Sequence, residues 1–387
     1  MLTVEENELL TRIGPGTPAG ELLRRYWHPL ATAAVLTEDQ PTKHVRILGE
    51  DLVLFRDKSG NVGLLGDHCA HRGASLLYGR VEERGIACAY HGWLYDTSGN
   101  CLETPAEPAG SLFHLTVKQK AYPVRERYGF YWAYLGPEPV PVLPRYDLLE
   151  LGPLTVNAEQ TIDCNWLQVT ENNVDQSHTA ILHQSTRFRG IPGSNTARGI
   201  IDQIATLEYA EVPFGIRRHR VDIDGYDDTD LWLFPYGLRL YNHFAWRVPI
   251  DDTHTRTMGA WADLKVTERT DGGWPVTFTP PSTERGKTPS DAIHPFATYR
   301  MDRLVFQDWM AVETQGPICH RENERLATAD RGVALLRQIL KREIEKVQQG
   351  LDPMGVIRDP ESDTVDTFVE RYAAIMDRFP GVGSGTG

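Results

Sequence analysis

"CAHRGASLLYGRVEERGIACAYHGW", residues 69–93, sets two cysteines and two histidines into a glycine- and arginine-rich stretch. One residue separates Cys69 from His71, and two separate Cys88 from His91. Each tight pair therefore offers one thiol and one imidazole. Buried small residues with stray histidines do not account for two such pairs at ligand spacing. Structural zinc accepts two Cys and two His, but its usual pairs are Cys-x2-4-Cys and His-x3-5-His, not mixed ones.

A third reading fits the mixed pairs better. In a Rieske [2Fe–2S] cluster two cysteines hold one iron and two histidines hold the other, so each loop must give one ligand to each iron. Replacing two thiolates with neutral imidazoles removes negative charge and raises the reduction potential. The result is an electron relay of moderate potential.

The rest of the chain bounds what such a relay serves. With 387 residues there is room for two domains. The composition, 41% hydrophobic and 24% charged, is that of a folded protein. A net charge of −13 argues against a surface for nucleic acid. No apolar run approaches the roughly 18 residues of a membrane span. The acidic, amphipathic start "MLTVEENELLTRIG" is neither a signal nor a transit peptide, so a cytoplasmic protein is expected. Structural disulfides are rare there, and five cysteines read as metal ligands plus spares, with Cys101 and Cys164 as buried thiols.

Residues 1–42 read as an N-terminal helical segment. Thr3 with Glu6 makes a capping box, and Thr17 caps a second helix that begins with Pro18. From 43 the texture changes to short strands, "HVRILG", "DLVLFRD" and later "GFYWAYLG". "PEPVPVLP", residues 137–144, is the linker candidate, which bounds a β domain at 43–140 and a second domain at 141–387. In the second domain 165–183 looks helical, 200–264 alternates like antiparallel strands, and two helices follow. The closing "GVGSGTG" is expected to be floppy.

A second candidate metal site lies in "ENNVDQSHTAILH", where Asp175, His178 and His183 form D-x2-H-x4-H. Residues five apart on a regular helix are about 140° from each other. Both histidines can share an ion only if the helix ends, kinks or forms a π-type turn between them. A mononuclear Fe(II) oxygenase site needs two histidines, a carboxylate and open positions. Met301, Val305, Asp308 and Val312 fall on one helical face, so Asp308 interrupts an apolar stripe and is the carboxylate candidate. A salt bridge to Arg303 is the bland alternative; Asp302 and Glu313 read as solvated charges.

"CAHRGASLLYGRV…CAYHGWLYDTSGNC" resembles the Rieske domain of bacterial Rieske non-heme iron oxygenases. "NW…EN…D…H…H" followed by "QD…E…GPI" resembles the catalytic domain of phthalate-dioxygenase-like and aromatic O-demethylase-like oxygenase subunits. The resemblance implies an α+β chain: a Rieske β domain followed by a helix-grip (START-like) catalytic domain with an antiparallel sheet. It implies His178, His183 and Asp308 as iron ligands, Asn172 near the iron, and Asp175 as a bridge to a cluster histidine of the neighbouring subunit. It implies Fe(II), O2 as cosubstrate, and a homotrimer or dimer of trimers. The pattern departs at His320, where the family often has Asp. No dinucleotide fingerprint is present, since "GPGTPAG" follows no strand; electrons are expected from a separate NAD(P)H-dependent reductase or ferredoxin.

For the substrate, an aromatic acid suits a guanidinium in an apolar pocket. Arg187, Arg189, Arg198, Arg217, Arg218 and Arg220 are the candidate anchors, and Trp232, Phe234, Tyr241, Phe244 and Trp246 the candidate walls. Ring hydroxylation and O-demethylation are both open. So are two readings of another class: an electron-transfer Rieske protein without catalytic iron, and a zinc-stapled binding protein.

Overall fold

The computed structural model describes residues 1–183, 204–222, 227–266, 273–279, 287–288, 298–301 and 303–367. The expected floppy end and Arg187, Arg189, Arg198 and Asp302 lie outside the described residues.

Helices α1 (Val4–Thr11) and α2 (Pro18–Leu23) open the chain. The capping box forms on α1, with Glu6 N donating to Thr3 Oγ1 at 3.1 Å and Thr3 N to Glu6 Oε2 at 2.9 Å. The segment 1–42 is not wholly helical. Its strand Trp27–Thr32 pairs with Phe130–Tyr134, because all six of its residues are buried and a strand hides both faces between neighbours. Two further four-stranded antiparallel sheets build the small domain, one around Glu50–Arg56 and one around Gly85–Ala87.

The second domain is organised on one eight-stranded sheet. Its strand order is Ile204–Val212, Gly215–Asp222, Asp227–Leu233, Gly237–Leu240, His243–Asp251, His254–Ala262, Leu154–Ile162, Val276–Thr279. All pairs are antiparallel except the last. Alternation along each strand sends successive side chains to opposite faces. On one face Trp246 meets Phe130 and Trp132 of the small domain edge-on, at ring separations of 5.6 and 5.3 Å. On that face too, Arg256 donates to the carbonyls of Leu30 and Arg46, each at 3.2 Å.

The opposite face carries the helices. Thr255 Oγ1 donates to Cys164 O at 2.9 Å at the start of α3 (Trp166–Val174), and Arg218 donates to Asn173 O near its end. After α3 the chain breaks at Asp175 and resumes as α4 (Ser177–Ile181). Helix α5 (Leu304–Glu313) packs on α3 through Val169, Phe306, Trp309 and Val312. Helix α6 (Arg331–Gln348) buries Val333, Leu336, Leu340, Ile344 and Val347, a stripe at helical spacing. The sheet thus stands between the small domain and the helices that bear Asp175, His178 and Asp308.

Candidate metal centres

The two cluster loops are built alike. In the first, Gly73 N donates to Cys69 O at 2.8 Å; in the second, Gly92 N donates to Cys88 O at 2.9 Å. Gly73 and Gly92 both sit at positive φ, +76° and +74°, where a side chain would strain the turn. Buried Gln119 ties the first loop down, accepting from Ala70 N at 2.8 Å and donating to Gly66 O and His68 O. Cys69 and Cys88 are buried beside each other, while the His71 and His91 rings lie 4.6 Å apart on the outside. His71 stacks on Trp93 at 4.2 Å and 8°.

This pairing tests the metal. A tetrahedral zinc ion with bonds of about 2.0–2.3 Å draws its donors to within about 4 Å of one another. No three donors among Cys69, His71, Cys88 and His91 come within 4.8 Å of one another. Sulfur faces sulfur and imidazole faces imidazole, which suits two irons and not one ion. Tyr95 hydroxyl lies 3.2 Å from Cys69 Sγ, the kind of bond that tunes a cluster.

The second centre comes from three elements. The break at Asp175 frees α4 from the phase of α3, and His183 lies in the turn just beyond α4. Both histidines can therefore point the same way, as their spacing required. Among the described residues, His178, His183 and Asp308 form the group whose ligand atoms all lie within 4.8 Å. His178 Nε2 and His183 Nε2 approach Asp308 Oδ1 at 3.5 and 3.4 Å. Asp308 Oδ1 is buried without a hydrogen-bond partner, an orphan that a cation would satisfy. Burial pulls the His178 pKa down, but the Asp175 and Asp308 carboxylates outweigh it and lift the value to about 9. Two nitrogens and one carboxylate oxygen fit a mononuclear Fe(II) site with open positions.

Around the triad, Asp175 Oδ2 stands 3.4 Å from His178 Nδ1, and its Oδ1 accepts from Ser177 N and Oγ at 2.7 and 2.6 Å. Half-buried Asn172 lies on α3, three residues before Asp175. His320 is exposed and pairs with Glu322 at 2.9 Å, outside the triad.

Several expectations need correction. Glu313 is no solvated charge: its side chain is 4% exposed and receives Lys287 Nζ and Tyr299 hydroxyl, each at 2.6 Å. Val305 is 40% exposed, so the stripe containing Asp308 is only partly buried. Of the candidate anchors, Arg218 is taken up by Asp230 at 2.9 Å, deep beside Gln176. Of the candidate walls, Trp246 packs on Phe130 of the small domain and Phe244 on Tyr146, on the sheet face away from the helices. Sequence reasoning missed Gln307, whose Oε1 is 2.8 Å from His183 Nδ1. It also missed Arg247 and His243, which alternate with Phe244 and Trp246 and so face the helices.

Residues 26–123 match the Rieske [2Fe-2S] domain model. The 5,5'-dehydrodivanillate O-demethylase oxygenase subunit of Sphingobium sp. is 36% identical over 93% of this chain and 84% of its own. The phenoxybenzoate dioxygenase subunit alpha of Ectopseudomonas oleovorans is 40% identical over 90% and 87%. The chain belongs to the Rieske non-heme iron oxygenases. It is an oxygenase component of the phthalate dioxygenase and O-demethylase type, using a [2Fe–2S] cluster, mononuclear iron and O2. The fold agrees: NdmB of Pseudomonas putida CBB5 superposes with a TM-score of 0.62 at 22% identity, covering 85% of this chain and 93% of that one. Near full-length kinship with oxygenase subunits removes the electron-transfer and zinc-binding readings. No helix among the described residues is long and apolar enough to cross a membrane.

Proposed function

We propose that this oxygenase hydroxylates or O-demethylates an aromatic acid, with Cys69, His71, Cys88 and His91 holding the cluster and His178, His183 and Asp308 holding the iron. The observation that carries the substrate class is Arg247. It stands on the helix-bearing face of the sheet, near enough to Asp308 for each charge to shift the other's pKa. Burial lowers its pKa to about 10, so it stays a cation, and its Nε is buried without a hydrogen-bond partner. Its Nη1 donates to Thr257 Oγ1, and among the described residues no carboxylate is paired with the guanidinium fork. A desolvated cation next to the iron site favours an anionic substrate.

An aromatic surface lies close by. His243 stacks on Trp261 at 3.8 Å and 11°, and the small residues Ala245 and Gly259 lie between that stack and Arg247. Two relatives are named for phenoxybenzoate and phthalate, both aromatic carboxylates. When bound, the iron supplies reductive activation of O2; the chain's part is to hold the ring beside it and keep the carboxylate on Arg247. A separate reductase or ferredoxin delivers the electrons. The sheet separates the small domain from the triad within one chain, which supports transfer between neighbouring chains of a homotrimer or dimer of trimers in the cytoplasm.

The test is product analysis with matched aromatic acids and their methyl esters, following formaldehyde release and hydroxylated rings. Acids should be turned over and esters should not. Arg247→Leu should raise KM for the acid about tenfold or more, the loss of one charge-assisted contact of about 1.5–3 kcal/mol. Equal turnover of esters and acids would remove the carboxylate from the reading.

A further inference from the structure

The two histidines of the triad are held by different partners. His178 turns Nδ1 toward the Asp175 carboxylate at 3.4 Å, whereas His183 turns Nδ1 toward the neutral amide of Gln307 at 2.8 Å. Which end of that amide faces the imidazole is settled by its other end. Gln307 Nε2 donates to the Met301 carbonyl at 2.9 Å, and a carbonyl can only accept. Oε1 must therefore face His183, and since it too only accepts, His183 Nδ1 must carry the hydrogen. The neutral ring then presents its lone pair at Nε2, 3.4 Å from Asp308 Oδ1.

The amide has little freedom to turn away. Gln307 is 1% exposed, and both of its polar atoms are engaged. It also precedes Asp308 on α5. One turn of α5 thus carries both a triad carboxylate and the group that orients a triad imidazole from another element. His183 lies past the end of α4.

We propose that Gln307 is a positioning residue for the mononuclear iron, fixing the tautomer and direction of His183 so that Nε2 is presented to the metal. The proposal rests on His178, His183 and Asp308 being the iron ligands. Outer partners of metal-bound imidazoles typically contribute 10- to 100-fold in metal affinity. Asp175 faces His178 Nδ1 with a charge at 3.4 Å; Gln307 engages His183 at 2.8 Å without adding negative charge to the site.

The experiment measures Fe(II) and Co(II) dissociation constants by anaerobic titration of protein stripped of mononuclear iron but retaining its Rieske spectrum. Gln307→Met matches the volume and removes the acceptor; binding should weaken about 10- to 100-fold. Gln307→Glu, protonated on the oxygen that faces Met301 O, keeps both the donor and the acceptor and should stay within about threefold of the unmutated protein. Gln168→Met is the control. Gln168 is equally buried and bridges Val312 O and Gly316 O at 2.9 Å, away from the triad, so it should not change metal affinity. Gln307→Leu repeats the test with a different shape if the Met variant does not fold. Metal binding by Gln307→Met close to that of the unmutated protein overturns the proposal, as does equal weakening in Gln168→Met or failure of Gln307→Glu to restore binding. Should Asp308→Ala itself keep full iron, the ligand assignment falls instead, which separates the two failures.

Discussion

Tyr95→Phe offers a quantitative test of the relay centre. The Tyr95 hydroxyl is buried 3.2 Å from Cys69 Sγ, in a cluster of side chains that includes Cys88 and Trp93. Burial and the neighbouring Cys69 push the phenol pKa far above its usual value, so the group stays protonated and donates to the sulfur. A bond donated to a cluster sulfur favours the reduced, more negative state over the oxidised one. Hydrogen bonds to charged groups contribute roughly 1.5–3 kcal/mol, and only the difference between the two oxidation states moves the potential. Taking that difference as about 1.4 kcal/mol gives a shift of about 59 mV for one electron. Phe fills the same volume, so the loops should keep their shape. The variant's midpoint, titrated by the EPR signal of the reduced cluster, should therefore fall by about 60 mV. Tyr78→Phe, at a residue 76% exposed, should leave it unmoved. An unchanged or higher midpoint in Tyr95→Phe would refute the reasoning.

Asp308→Ala should lose the mononuclear iron and keep the Rieske spectrum, since the sheet separates the two sites; iron analysis beside EPR decides it. Asp175→Asn should keep both centres and the oligomer but slow single-turnover oxidation of the reduced cluster; an unchanged rate would leave Asp175 with a local role at His178 and Ser177 only. Arg321→Ala should destabilise the catalytic domain by about 3 kcal/mol in urea at pH 7, because buried Glu171 would keep only Arg337. Burial alone would raise the Glu171 pKa, but Arg321 and Arg337 outweigh it and hold the value below 4.5. A depressed carboxylate stabilises the fold above its unfolded pKa and loses that contribution as pH falls. The Arg321→Ala penalty should therefore shrink below about pH 4, and a constant penalty would argue against ion pairing as its cause.

How much of this was legible in the sequence follows from how far apart the cooperating residues lie. Cys69, His71, Cys88 and His91 come from two tight loops, so the mixed pairing is visible from spacing alone. His178 and His183 were readable with one condition, that the helix break between α3 and His183. The sequence holds no proline there to announce the break; Asp175 makes it instead, accepting from Ser177 N and Oγ with its side chain. Asp308 was reached through a stripe that proved half right. Val305 is exposed while Phe306 and Trp309 are buried, so the apolar face is rotated from the one the spacing suggests. Asp308 borders that face, within reach of the histidines.

The arginine question shows where such reading stops. Arg217, Arg218 and Arg220 crowd together in the sequence, yet Arg218 is consumed by Asp230 across the strand pair. Clustering of charges along a strand says nothing about their partners, which lie on neighbouring strands fixed by register. Arg247 carries the opposite lesson. It sits between Trp246 and Val248 in a run that looks like one more amphipathic strand. Its importance depends on which face meets the small domain, and that is decided by Trp246 seating against Phe130 and Trp132, more than 110 residues away. Once Trp246 takes that side, period-two alternation leaves Arg247 no choice but the face that carries the helices. Gln307 depends on the same kind of distant agreement, since it matters only when α5 docks on α3 and brings the amide to His183. Short-range chemistry can be read along the chain; the residues that orient and select are specified by packing between elements, so they come into view only with the fold.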